Sequence, residues 1–178
     1  MEKVLFVATV DQHIRHFHLP YLEWFKKNNY EVHVASYGQE ILSNVDVKYN
    51  IPFTRNPFSK RNMRAYSELK KIIEENSYKL VHCHTPMGSV IARLASINAR
   101  KNGTKVIYTA HGFHFYKGAK NKNWLLYFPI EYWLSKYTDI LITINKEDYN
   151  LAVKKRFKAN NIELVNGVGV DLNKIVPQ

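Results

Sequence analysis

The chain has 178 residues, 46% of them hydrophobic and 23% charged, which is enough for one domain with a full core and excludes global disorder. With 26 Lys and Arg against 15 Asp and Glu the net charge is +11, which favours an anionic partner: nucleic acid, an anionic membrane leaflet or a phosphorylated ligand. The single cysteine, Cys83, excludes an internal disulfide and, set in an apolar strand pattern, predicts a buried thiol and a reducing compartment.

Met1 leads straight into Lys3 to Val10, KVLFVATV, nearly all apolar as a strand buried on both faces must be. No charged, apolar and small-residue segments follow in the order of a signal peptide. No apolar run approaches the ~18–20 residues that span a bilayer, so a cytosolic or peripheral protein is expected. Asp11 to His18 reads as a polar loop with three histidines. Pro20 then suits the first turn of a helix whose inner face is Phe17, Tyr21, Leu22 and Phe25. Glu31 to Ser36 is a second strand, and the β-α-β opening predicts parallel neighbours.

Val45 to Ile51 reads as a short third strand. Phe53 to Arg64, FTRNPFSKRNMR, is a basic connection, either a solvated loop or a lip over an anionic ligand. Met63, Tyr66, Leu69, Ile72 and Ile73 have helical spacing. Lys79 to His84, KLVHCH, is the fourth strand, and Thr85-Pro86 reads as a cap and first helical residue. Lys105 to Phe115, KVIYTAHGFHF, is a fifth strand that ends in a polar turn. There Gly112 permits φ > 0 and His111 stands where the strand stops.

Trp124 to Tyr137, WLLYFPIEYWLSKY, has six aromatic residues and a mid-run Pro129. It is either a kinked core helix or an interfacial one. In the second case Trp124, Tyr127, Tyr132 and Trp133 lie at lipid headgroup level, with Lys117, Lys120, Lys122 and Lys136 near anionic phosphates. Thr138 to Ile144 is a sixth strand, Asn145 caps a helix, Ile162 to Val165 is a last strand, and the tail from Asn166 reads as a linker. Six or seven strands alternating with helices specify a doubly wound, mainly parallel α/β domain over residues 1–165, with a linker beginning at 166–178.

No strand–helix turn carries a dinucleotide-binding glycine fingerprint or a P-loop, and no nucleophile elbow is present. His16-x-His18 and His82-x-His84 could each place two imidazoles on one strand face, but without a carboxylate or cysteine cluster no metal site is expected. In a doubly wound sheet the ends of strands one, four and five bring His13, His84, Thr85 and His111 to one rim, with Lys117 on a neighbouring loop. His111 alone reads as a hydrogen-bonded strand-end histidine or as a site residue. The rim suits a phosphorylated or sugar ligand. Scattered basic residues without a reader motif argue against nucleic acid.

The blocks VLFVATV with HFHLPYLEWF, VHCHTPMGSVIARLAS, IYTAHGFHFYKG, IEYWLSKYTDILITINKEDYNLA and VNGVGVDLNKI, in this order, resemble the amino-terminal half of glycosyltransferase family 4. The resemblance is to the subgroup that builds capsular and other bacterial surface polysaccharides on lipid-linked acceptors. It implies a Rossmann-like half of a GT-B fold and retaining transfer of a sugar from a UDP-type donor to a polyprenyl-linked saccharide. No metal cofactor and no nucleic-acid partner are implied. It places His111 beside the donor sugar as the catalytic residue and the loop from Thr9 to His13 against the donor phosphates and acceptor; from the rim and the turn after the fifth strand, His84, Thr85, Gly112, His114 and Lys117 are expected to bind substrate with Thr9 and His13. Lys120, Lys122 and Trp124 are expected to face an anionic membrane, at the inner face of the plasma membrane. Two departures stand out. The first loop has Val10-Asp11-Gln12-His13 where relatives usually carry glycines, and the C-terminal donor-binding domain is absent. The resemblance therefore implies a piece of a longer enzyme, alone inactive, or one subunit of a split one. Glu131 falls at the family's acidic position and reads as structural.

Overall fold

The apolar run at the N-terminus becomes the centre of the sheet. A computed structural model describes residues 1–167. Of the expected linker, residues 168–178 lie outside the described residues. The strands are β1 (Lys3–Val10), β2 (Glu31–Tyr37), β3 (Val47–Asn50), β4 (Leu80–His84), β5 (Lys105–Ala110), β6 (Ile140–Thr143) and β7 (Asn161–Leu164). They form one sheet in the order β3-β2-β1-β4-β5-β6-β7, and every neighbouring pair is parallel. The doubly wound α/β reading holds.

Parallel pairing forces a crossover between successive strands, so the faces of the sheet are covered and the central strands must be apolar on both sides. In β1, Leu5 and Val7 join Val81, Cys83, Val106 and Tyr108 on one face, while Val4, Phe6 and Ala8 join Val32 and Val34 on the other. The first layer is closed by α3 (Lys60–Asn76) and α4 (Pro86–Ala95), through Leu69, Ile73, Ile91 and Ala95. The second is closed by α1 (Asp11–Phe17) and α2 (Leu19–Lys27), through Ile14 and Leu22. Short α5 (Ile97–Lys101), then α6 (Asn121–Ser135) and α7 (Lys146–Lys154), complete the chain.

Three expectations change. Asp11 to Phe17 is a helix, not a loop, because its polar residues are paired inward: Asp11 is buried and accepts from Ser36 Oγ at 2.5 Å and Glu40 N at 2.9 Å, with Lys48 Nζ at 2.8 Å. Gly38 makes room for this carboxylate, since a Cβ there would lie 2.4 Å from Asp11 Oδ2. The inner face of the first helical pair is Ile14, His18 and Leu22, while Phe17 and Tyr21 are exposed. In α3, Ala65, Leu69 and Ile73 face the core, and Met63 is 72% exposed.

Between the two crossover directions, β1 and β4 lie side by side, and the chain leaves them to opposite halves of the sheet. Their carboxyl ends therefore border a crevice that no loop needs to cross.

Candidate active site

The crevice is a cleft of about 530 Å³ whose lining includes Thr9, His13, Arg55, Thr85, His111 and Tyr127. A larger hollow, about 790 Å³, lies at the opposite end of the strands among Lys3, Asn76, Tyr78 and Thr104. Its charged residues, Glu2, Lys3, Glu74 and Lys79, are surface groups, Glu2 and Lys79 paired at 2.9 Å, whereas the imidazoles gather at the carboxyl ends, where the chemistry is placed.

Thr9 and Thr85 join the two central strand ends. Thr85 Oγ1 accepts from Thr9 N at 3.0 Å and lies 2.7 Å from Thr9 Oγ1, while donating to the carbonyl of His84. Thr85 thus does not cap α4 with its side chain, as the Thr-Pro pair predicts, because its hydroxyl is already engaged. It holds φ 62, ψ 149, a conformation that costs a non-glycine residue on the order of 1–3 kcal/mol. Gly88 lets α4 sit against this joint, since a Cβ there would meet Thr85 Oγ1 at 2.7 Å and Thr9 N at 3.1 Å.

Beyond the threonines stands a cluster of imidazoles. His13 Nε2 and His111 Nε2 are 3.2 Å apart, their rings edge to face at 4.6 Å. His18 stacks on His84 at 3.7 Å, and His82 lies 4.2 Å from His84 with its Nε2 2.9 Å from Thr109 Oγ1. Burial first, then neighbouring histidines, pushes His13 down to about 4 and His82 to about 3. His18 and His84 are driven far below the ordinary value by the same causes. Burial alone lowers His111. A neutral His111 has one nitrogen to donate and one to accept, which suits a sugar hydroxyl; which nitrogen holds the proton follows from its partners.

The other expected site residues divide. Gly112 turns the chain with φ 137 and, with exposed His114, helps wall an apolar recess of about 270 Å³ beside the cleft. His114 also borders the cleft and packs on Tyr127 at 4.7 Å. Lys117 is exposed and does not line the cleft; its N–H donates to Glu147 of α7 at 2.7 Å. Lys120 and Lys122 are exposed. Trp124 turns toward the protein, packing on Phe115 and Phe128 and donating to the Tyr116 carbonyl at 3.3 Å. Helical spacing gives the outer face of α6 to Leu125, Leu126, Ile130 and Trp133 instead. No helix among the described residues is long and apolar enough to cross a membrane.

Sequence reasoning did not single out Asp11, His18 or Arg55 at the cleft. Arg55 lies at the cleft edge, on the connection whose basic composition was the available signal. His18 carried only the His16-x-His18 spacing, which was read as a strand pair and not as part of the cleft.

Comparison with known proteins follows the same line. Residues 3–145 match the family described as Glycosyl transferase 4-like. The chain is 54% identical over 176 residues to EpsD of Bacillus subtilis (strain 168), named as a glycosyltransferase, covering 99% of this chain and 46% of that protein. It is 30% identical over 118 residues to an Escherichia coli UDP-Gal:alpha-D-GlcNAc-diphosphoundecaprenol alpha-1,3-galactosyltransferase, covering 66% of this chain and 30% of that one. The chain thus spans less than half the length of these relatives. Among solved structures, UDP-GlcNAc 2-epimerase from Neisseria meningitidis bound to UDP-GlcNAc superposes with TM-score 0.66 at 14% identity, over 92% of this chain and 45% of that one. Sucrose-phosphate synthase from Thermosynechococcus elongatus gives 0.66 at 12%, over 100% and 51%. At such identities these two show the fold alone. With the family matched across six of the seven strands and the whole of the cleft's three central strand ends, the chain belongs to the glycosyl transferase 4-like family.

Proposed function

We propose that this chain is the acceptor-side domain of a retaining glycosyltransferase that moves a sugar from a nucleotide-diphosphate donor to a lipid-linked saccharide in surface polysaccharide biosynthesis. The observation that carries the reading is the neutral His111 at the end of β5, opening on a cleft that also holds Thr9, His13 and Arg55. His111 is the catalytic residue, hydrogen-bonded to a hydroxyl of the donor sugar beside the reacting carbon. Thr9 and His13 meet donor phosphates or acceptor, and Arg55 supplies positive charge over them. The leaving diphosphate needs charge stabilisation in a water-excluded cleft, which a second α/β domain closing on this one provides. The apolar recess shares Pro57, Met87, His114 and Tyr127 with the cleft, a continuity that suits the lipid end of the acceptor. The E. coli relative's name, with its diphosphoundecaprenol acceptor, supports that substrate class.

In a protein of the relatives' full length, His111→Ala should lower kcat ~10²–10³-fold while leaving the fold intact, the size of losing a polar contact made chiefly in the transition state. Near-normal turnover by a folded variant would remove His111 from the mechanism. The 178-residue chain alone should transfer no sugar from a UDP donor. A second reading, a non-catalytic acceptor-binding or membrane-docking subunit of a split transferase, draws on the exposed apolar face of α6 beside Lys120 and Lys122. It requires activity to appear only when a separate donor-binding chain is added.

A further inference from the structure

His13, His18, His84 and His111 each offer a ring nitrogen, and these four atoms all lie within 4.8 Å of one another. They come from four places in the fold: α1, the α1–α2 junction, the end of β4 and the turn after β5. The geometry points to a divalent transition-metal site of the zinc class, with these four imidazoles as its ligands, in the floor of the cleft.

The decisive observation is what the cluster lacks. A neutral imidazole has one N–H to give and one lone pair to fill. His18 is 3% exposed and His84 is fully buried, yet neither ring nitrogen of either has a hydrogen-bond partner. Four buried polar atoms are thus left unmatched in one small volume, where almost all such atoms in folded proteins are paired. Stacking of His18 on His84 accounts for the contact between the rings, not for the idle nitrogens. A single cation takes one nitrogen from each ring, and so answers two of the four together.

Distances agree. Zn–N bonds of ~2.0–2.1 Å in a tetrahedron place ligand nitrogens roughly 3.3–3.4 Å apart. His13 Nε2 and His111 Nε2, at 3.2 Å, already stand at that spacing. The widest pair, at 4.8 Å, must close by roughly 1.5 Å. All four histidines lie on or border secondary-structure elements. The short α1, seven residues long, carries His13 and ends at His18, so a small shift of α1 moves two ligands together. His82 is held apart by Thr109 and serves as a packing neighbour of His84.

The donor set selects the ion. Imidazole nitrogens suit Zn²⁺, Co²⁺, Ni²⁺ and Cu²⁺; Mg²⁺ and Ca²⁺ require oxygens, and no carboxylate belongs to the group. His13 and His111 are half-buried and border the cleft, so the ion's charge meets solvent or an anionic ligand. Coordination through Nε2 would leave Nδ1 of His111 as an obligatory donor, making the ion a positioning group for that imidazole. The inference does not depend on glycosyl transfer, and its test reads metal binding alone.

The full 178-residue chain, stripped with chelator, is titrated with Co²⁺ and then competed with Zn²⁺. One Co²⁺ per chain with the intense visible bands of tetrahedral nitrogen coordination, displaced by one Zn²⁺, is expected. Each of His13→Gln and His84→Gln should weaken binding by more than the ~10–100-fold that loss of an outer-shell partner costs. His16→Gln and His114→Gln, exposed and outside the group, should bind as the parent does. His13 is half-buried, so its variant is expected to keep the parent's circular dichroism even if the His84 variant does not fold. Absence of a tetrahedral spectrum in the parent, or equal loss of binding in the His16 and His114 variants, would overturn the site and leave water as the partner of the idle nitrogens.

Discussion

Arg93 of α4 lies 2.9 Å from Glu131 of α6, both buried, with the guanidinium 4.2 Å over the ring of Tyr108 on β5. The contact with Glu131 is an ion pair, and the guanidinium also donates to the Ser89 carbonyl and hydroxyl at 3.1 and 3.2 Å. This pair pins α6 to α4 and hence walls the apolar recess, which Glu131 also borders. Glu131 is thereby engaged in holding two helices together.

Removing one partner strands a charge in the core. Glu131→Gln or Arg93→Met should each cost about 3–5 kcal/mol, whereas Arg93→Met with Glu131→Leu should recover most of it. Urea unfolding of the three variants checks this. A double variant as unstable as the sum of the singles would show that the pair is not the source of the loss.

The imidazole cluster makes stability acid-sensitive. Unfolded histidine titrates near 6.5, while in the folded chain His13 is held to about 4 and His82 to about 3. Above pH 6.5 both states are neutral and these groups contribute no pH dependence. Between about pH 6.5 and 4 the unfolded chain binds protons that the folded chain refuses, so stability falls as pH falls, by up to ~1.4 kcal/mol per pH unit for each fully buried histidine and less for half-buried His13. In chelator-treated protein the urea midpoint should drop more steeply from pH 7 to 5 in the parent than in His84→Phe. Parallel slopes would mean that His84 is not one of the groups responsible.

Gly88→Ala tests the joint between β1 and β4. The new methyl meets Thr85 Oγ1 at 2.7 Å and backbone of Ala8 and Thr9 beyond 3 Å, so α4 must lift from the sheet. A loss of about 1–3 kcal/mol is expected, as for overpacking elsewhere. An unchanged thermal midpoint would indicate that the helix has room to move.

Membrane docking is expected through α6 and its preceding loop. Lys120 and Lys122 are exposed, and Leu125 is 81% and Trp133 46% exposed on the same helix. Each lysine near an anionic leaflet contributes ~1 kcal/mol, and the apolar residues add a part that salt does not screen. Co-sedimentation with anionic vesicles should therefore weaken with salt without vanishing, and fall further in Lys120→Glu with Lys122→Glu and in Leu125→Ser with Trp133→Ser. Equal pelleting with neutral lipid, or no effect of either double variant, would return this face to another role.

The sheet was legible because strands covered on both faces must be apolar runs: KVLFVATV, KLVHCH and KVIYTA all emerge as β1, β4 and β5. The convergence of Thr9, His13, His84, Thr85 and His111 followed from topology, since strand order alone dictates which ends meet. What was not legible depended on tertiary partners. Asp11 looks like a loop residue until Ser36, Glu40 and Lys48 arrive from the β2–β3 edge to neutralise it. His18 looks the same until His84 comes from 66 positions away to stack on it. Asp139 is a third case: burial raises its carboxyl, but hydrogen bonds from Arg100 and from Val106 N outweigh that and hold it below the usual range. No local pattern announces such a pairing.

Cys83 lies between His82 and His84 on β4, fully buried, its thiol pushed up to about 12 by burial and its Sγ 3.3 Å from the Ile107 carbonyl. A thiol so placed is inert toward alkylating reagents until β4 parts from β5. Being the sole cysteine, it turns the native chain into its own reporter: the rate at which a maleimide attaches measures how often the strand beneath the cleft opens. Ligand or metal bound at the strand ends should slow that attachment without any label being engineered in.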